Sequence, residues 1–263
     1  MIIKKQWRIL TVGDGDLSFS HSLHQYHQPH QLTATVYDSQ GTMTQKYTEN
    51  AFSSLLKQKV PVLFNFDVTN INSWVGLKKN QFDVVIFQFP LLPGFQSFEE
   101  YQHKAAKISV NTLNRDLLRT FLKNAFQYFL DPKGEQLCFI TSKDVKPYRE
   151  WNIENALHLH TNFYYQGSSL FNIENFPNYK VRNVDRDKHV KDTKGRTYVW
   201  SLQENHALKN ELDAPVFQDK DCCMMCRAGP FTTQFDKDKH NASKKHQQMM
   251  QFEALWQDRI NNR

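Results

Sequence analysis

The 263 residues include 40% hydrophobic and 13% aromatic side chains, enough to fill a sizeable core, which excludes a chain disordered throughout. Lysine and arginine outnumber aspartate and glutamate by 33 to 27, a formal charge of +6 that leans toward a polyanionic partner. No apolar run approaches the roughly 20 residues of a membrane span, and residues 1–6 lack the apolar core of a secretory signal, so a soluble cytoplasmic protein is expected.

Residues 9–12 are an apolar run of strand length that stops at Gly13-Asp14-Gly15-Asp16 and passes through Ser18, a candidate helix cap, into a helix over 19–26. A sharp turn at a strand's carboxyl end is where open α/β sheets bind ligands, and Gly13 and Gly15 let the main chain approach one closely. Ser18 stands where a dinucleotide fingerprint has its third glycine, which weakens a nicotinamide-dependent oxidoreductase and leaves a ligand-free turn open. The next strand, 32–38, ends on Asp38, 23 residues past Gly15 and close to the position from which Rossmann-like folds hold ribose hydroxyls. A helix over 44–57 leads to a third strand, 60–67, which also ends on a carboxylate, Asp67.

Residues 82–90 are almost continuously apolar, as in a parallel strand buried on both faces. Gln88 interrupts them; an amide followed by Phe89 and Pro90 suits either a planar base or a structural turn. Leu113, Leu117, Leu118, Phe121, Phe126 and Phe129 recur at helical spacing within 104–130 and form a core stripe that Asp131-Pro132-Lys133-Gly134 ends. Strand five, 136–141, makes Cys138 a small buried hydrophobe. The loop 142–148 enters a helix carrying Trp151 and Ile153, the strands 163–170 and 197–202 pair as an edge hairpin, and 184–196 form an exposed charged loop. Five parallel strands closed by such a hairpin give an α/β fold: the Rossmann-like architecture of class I methyltransferases, which use S-adenosylmethionine.

Gly13-Asp14-Gly15-Asp16-Leu17-Ser18-Phe19-Ser20, Tyr37-Asp38-Ser39, Phe87-Gln88-Phe89-Pro90, Asn114-Arg115, Lys146-Pro147-Tyr148 with Trp151, and Phe176-Pro177-Asn178-Tyr179 with Arg182 follow one another in register. Over residues 7–203 they resemble the Rossmann-like domain of the large-subunit ribosomal RNA uridine-N3-methyltransferase family. The resemblance implies an S-adenosylmethionine-dependent methyltransferase acting on structured, ribosomal RNA. Gly13, Asp14 and Gly15 would line the methionine and ribose part of the cofactor, Asp38 would hold the ribose hydroxyls, and Asp67 would receive the adenine amino group. Relatives carry asparagine where this chain has Gln88, which would sit where cofactor and target base meet; its extra methylene moves the amide by more than about an ångström. Uracil N3 must lose a proton to attack, and Asp14, Asp16 and Asp144 are all candidates to take it. Gln88 is also the feature that favours a catalytically silent RNA-binding module on the same fold.

The polar stretch 204–219 reads as a linker between a domain over 1–203 and a small unit over 220–263. Two residues separate Cys223 from Cys226, thirteen separate Cys226 from His240 and five separate His240 from His246, a spacing that suits a tetrahedral zinc site, with Cys222 as an alternative to Cys223. Phe231 and Phe235 are candidate filling for this small unit. The ending resembles matrin-like and double-stranded-RNA-binding zinc fingers. Residues 220–263 hold eight lysines or arginines against five acids, and Lys237, Lys239, Lys244 and Lys245 beside the ligands suit RNA phosphates; a solvated charged helix is the alternative.

Overall fold

The computed structural model describes residues 1–92, 108–182, 194–215 and 217–262. Seven strands form one sheet in the order β3-β2-β1-β4-β5-β7-β6: β1 (Arg8–Val12), β2 (Gln31–Thr35), β3 (Val62–Leu63), β4 (Val84–Gln88), β5 (Leu137–Lys143), β6 (Tyr164–Phe171) and β7 (Gly195–Ser201). The first five are parallel, and β7 runs antiparallel between β5 and β6. This is the class I methyltransferase sheet with its antiparallel edge hairpin. Strand order reverses beside β1, whose neighbours are β2 and β4, so the carboxyl ends of these strands open a crevice at that edge.

All five residues of β4 are buried, the apolar four and Gln88 alike, and separate cores lie on the two faces of the sheet. Cys138 is fully buried in one of them, where desolvation pushes its thiol well up. Among the described residues no helix is long and apolar enough to cross a membrane.

Several helices are shorter than the periodicity predicts. The first, α1 (Ser18–Ser22), continues as a π turn over Leu23–His27. Ser18 is its first residue and not its cap: Leu17 precedes it at φ 65°, and the carboxylates of Asp16 and Asp14 accept from the amides of Ser18 (3.0 Å) and Ser20 (2.7 Å). The segment 44–57 divides into α2 (Gln40–Lys46), capped by Ser39, and α3 (Phe52–Lys57), started by Asn50. The third strand is cut to two residues because Asn65 turns the chain at φ 56°.

The long helix is α4 (Val110–Asn124), capped by Ser109 and followed by a π turn over Ala125–Phe129; the expected start near Lys104 lies outside the described residues, as does most of the loop 184–196. Helix α4 buries Asn111, Asn114, Arg115 and Asp116 while Leu113 stays half-exposed. That inversion has a cause at the far end of the chain. After the short α5 (Ile153–Ala156), the tail forms α6 (Gln234–Asn241) and α7 (Lys244–Asn261), and α7 lies on the polar face of α4. Trp256 is fully buried and donates to the Ala156 carbonyl (2.8 Å), Glu253 accepts from Arg115 (2.7 Å) and Asn152 (3.1 Å), and Arg259 pairs with Asp116 (2.8 Å). The stretch 204–215 is likewise fastened: Leu208 is buried, and Asp213 exchanges backbone hydrogen bonds with Ser168.

Candidate functional site

The turn after β1 is held from below. Gly13 has φ +64°, and a Cβ there would stand 2.9 Å from the Phe87 ring, so conformation and space both demand glycine. Its amide donates to Thr35 Oγ1 (3.3 Å), and that of Asp14 to the Thr35 carbonyl (3.0 Å), tying the turn to β2. The Asp14 carboxyl faces inward, accepting from the amide and hydroxyl of Ser20, and the hydroxyl in turn lies 2.7 Å from Thr11 Oγ1. Burial first, and then the charge of Asp16, push Asp14 up to about 7 against the hydrogen bonds from Ser20 and Phe19.

Asp16 is buried and bonded on both oxygens, to the Ser18 amide (3.0 Å) and to Arg182 Nε (2.5 Å). Arg182 also lies over the Tyr47 ring, and Phe176 and Tyr179 pack on Phe19, so the segment 176–182 closes against the turn. Its role as the partner of Asp16 carries no signal in sequence, being separated from it by 166 residues.

Asp38, past the end of β2, shares its Oδ2 with Lys46 Nζ at 3.3 Å. Asp67, past β3, uses Oδ1 to accept from the amide and hydroxyl of Thr69, a local turn that sets its position. Gln88 ends β4 opposite Thr141 of β5, and Asp144 follows β5. The fold thus brings Gly13, Asp14, Gly15, Asp16, Asp38, Asp67, Gln88 and Asp144 to one edge of the sheet. The glycine turn leaves room for a ligand backbone, and a carboxylate at the end of β2 has the chemistry to accept from a diol, so these residues fit a nucleoside cofactor.

Beside Gln88, a cleft is lined by Phe89, Leu91, Ser142, Lys143, Tyr148 and Arg182. Gln88 is 9% exposed, and among the described residues neither atom of its amide has a hydrogen-bond partner; the buried Ser142 hydroxyl also has none. Such groups are uncommon in folded proteins and mark a place where a ligand can complete the bonding. Asp144 is engaged differently. Arg149 grips it with two bonds (2.9 and 3.2 Å) and Arg227 with one (3.1 Å). Burial raises its carboxyl, but the Arg149 hydrogen bond and the charges of Arg227, Arg149 and Arg196 outweigh this and hold it below the usual range. Of the three candidate bases, Asp16 and Asp144 are therefore arginine-paired carboxylates, whereas the carboxyl of Asp14 is bonded to Ser20 and shifted upward.

In the tail, ligand atoms of Cys223, Cys226, His240 and His246 all lie within 4.8 Å of one another. His246 Nδ1 is 3.7 Å from Cys223 Sγ, 3.5 Å from Cys226 Sγ and 3.1 Å from His240 Nε2. A tetrahedron with bonds of about 2.3 Å to sulfur and about 2.0 Å to nitrogen has edges of roughly 3.3–3.8 Å, so the set fits zinc. Cys222 is outside this cluster. Phe231 packs against the His240 ring, tilted by 35° with centroids 4.9 Å apart, as filling, whereas Phe235, expected to do the same, is 74% exposed. Lys239, Lys244 and Lys245 are exposed, while Lys237 donates to the Lys220 carbonyl (2.8 Å) and so braces the unit itself.

A family model described as rRNA (uridine-N3-)-methyltransferase, BMT5-like, matches residues 10–183. The chain is 31% identical over 150 residues to heavy metal-associated isoprenylated plant protein 41 of Arabidopsis thaliana; the match covers 56% of this chain and 27% of that protein, so the chain spans about a quarter of its relative's length. Similar solved structures include the Bacillus subtilis tRNA methyltransferase TrmK, with 10% identity, a TM-score of 0.45, and coverage of 97% of this chain and 93% of that one. Another is the Methanococcus jannaschii fibrillarin pre-rRNA processing protein, with 15% identity, a TM-score of 0.40, and coverage of 78% and 70%.

Proposed function

This chain belongs to the BMT5-like rRNA (uridine-N3-)-methyltransferase family, and from that premise we propose that it transfers a methyl group from S-adenosylmethionine to N3 of a uridine in ribosomal RNA. The observation that carries the reading is the buried amide of Gln88, unpartnered among the described residues, at the edge where the glycine turn and Asp38 also stand. The NH2 of a primary amide can donate to a uracil carbonyl beside N3 and so orient the ring while leaving N3 free to face the methyl. Phe89 and Tyr148 supply aromatic surface in the adjoining cleft, and Lys143 supplies a cation for the backbone of an extruded nucleotide.

When bound, the cofactor supplies a methyl on a sulfonium whose departure as a neutral thioether needs no acid from the protein. The N3 proton passes to water in the cleft as the N–CH3 bond forms, and the residues of this chain are left with positioning: the turn 13–16 shapes the methionine end, Asp38 receives the ribose hydroxyls, Asp67 faces the adenine, and Gln88 orients the acceptor base. Asp38→Ala is expected to weaken cofactor binding by about tenfold, the worth of a charge-assisted hydrogen bond. Unchanged affinity by calorimetry would remove Asp38 from the site.

Lys239, Lys244 and Lys245 are assigned to RNA phosphates. Replacing each with alanine should reduce the salt slope of RNA binding by about 1 without changing sequence preference. An unaltered slope would return these lysines to the solvated surface.

A second reading, an RNA-binding module that does not transfer methyl, is favoured by the arginine pairing of both Asp16 and Asp144, which leaves neither as an effective base. Incubation with labelled S-adenosylmethionine and total RNA, followed by nucleoside mass spectrometry, separates the two. N3-methyluridine is the expected product; cofactor binding with no labelled nucleoside supports the silent module.

A further inference from the structure

Arg227 directly follows the second cysteine of the tail cluster, yet its side chain is committed to the large domain. It leaves the turn in the left-handed region at φ 51°, which a residue with a Cβ adopts only when its surroundings enforce it. The enforcement is local: Cys223 and Ala228 exchange backbone hydrogen bonds (2.8 and 3.2 Å), and the Arg227 amide donates to the Met224 carbonyl (3.2 Å). Thus aimed, the guanidinium reaches Asp144 (3.1 Å), Glu154 (3.8 Å) and the Tyr198 hydroxyl (3.3 Å). Asp144 adjoins Lys143, in the wall of the cleft, and Glu154 belongs to α5, which α7 also touches through Ala156.

The other half of the cluster leads to the same place. His246 lies in the first turn of α7, and further along the same helix stand Glu253, Trp256 and Arg259, all bonded to α4, α5 or the residue before it. Glu253 neutralises Arg115, whose guanidinium is fully buried and would be left without a counter-charge if α7 lifted.

We propose that the Cys223–Cys226–His240–His246 centre is a structural zinc site that acts as an intramolecular bracket, seating Arg227 and α7 on the large domain so that metal occupancy fixes the cleft wall over residues 142–148. Arg227 is then a positioning residue for a site on a part of the chain more than 70 residues upstream. The small unit has little apolar filling beyond Phe231. Without metal, the knuckle therefore loses the constraint that orients Arg227, and Asp144 loses one of the two arginines hydrogen-bonded to it among the described residues, keeping its local partner Arg149.

The test uses the whole 263-residue chain. Elemental mass spectrometry is expected to find one zinc per chain, and hydrogen exchange is then compared before and after removal by a chelator. Peptides over 142–156 and over α4 should exchange about tenfold faster in the metal-free protein. Arg227→Ala should retain the zinc while accelerating exchange over 142–149 and leaving α4 protected. Absence of zinc, or acceleration confined to 217–246 on its removal, overturns the proposal. None of these readouts depends on methyl transfer, so their failure leaves the reading of the cleft untouched.

Discussion

Gln88→Ala is expected to lower methyl transfer by about 10²-fold while leaving the melting temperature and cofactor affinity nearly unchanged. The dissociation of those effects follows from the bonding of the amide. A buried amide without partners costs about 1–3 kcal/mol, and truncation removes that cost while opening a cavity of similar penalty, so the two changes offset in the free protein. An amide that held a turn together would behave in the opposite way, its loss lowering stability first. Transfer suffers because the acceptor base loses the carbonyl hydrogen bond that orients it, and misplacement by about an ångström is enough to cost two orders of magnitude. Gln88→Asn, which keeps the amide and shortens the side chain by one methylene, should retain substantial transfer. Single-turnover rates beside thermal melts decide the matter: full transfer with a large fall in melting temperature would make Gln88 a structural residue.

The sheet was legible in the sequence because its strands are punctuated. Four of the five parallel strands run straight into Gly13, Asp38, Asn65 or Asp144 near their carboxyl ends, and the fifth ends at Gln88. Helix lengths were less so, since apolar periodicity continues through the breaks at Tyr47 and Ala125 that backbone geometry imposes. The motif residues could be assigned to one edge of the sheet, but their bonding could not. Whether Asp14 faces a ligand or Ser20, and whether Asp16 is free or paired with Arg182, depends on contacts over 6 and 166 positions that no local pattern encodes.

The tail was legible only as a metal cluster. Cysteine and histidine announce their chemistry by spacing, whereas Arg227, Glu253 and Trp256 are ordinary residues whose importance comes from what α4 and α5 present to them. The clue lay in α4 itself. Asn111, Asn114, Arg115 and Asp116 form a polar face, and a polar face on a long helix ordinarily meets water; here it meets another helix from the same chain.

Cofactor affinity is expected to increase with pH up to about 7, and folding stability to decrease over the same range, both because of Asp14. Its carboxyl is pushed from 3.8 up to about 7 in the folded chain, whereas the unfolded chain titrates at the ordinary value. Between those two values the native state holds a proton that the unfolded state has lost. Stability is therefore full below about pH 4, declines as pH rises through the window, and levels off above about 7. A sulfonium bound near the turn has the opposite preference: it is attracted to the ionised carboxylate, so binding expels the proton and gains up to tenfold in affinity per pH unit below about 7. Asp14→Asn, which cannot ionise, should flatten both dependences. Calorimetry at pH 6 and pH 8 measures the first, and urea unfolding at pH 5 and pH 7.5 the second. If the wild-type affinity is the same at both pH values while stability still falls, Asp14 is a buttress of the turn bonded to Ser20, too far from the sulfonium to feel its charge.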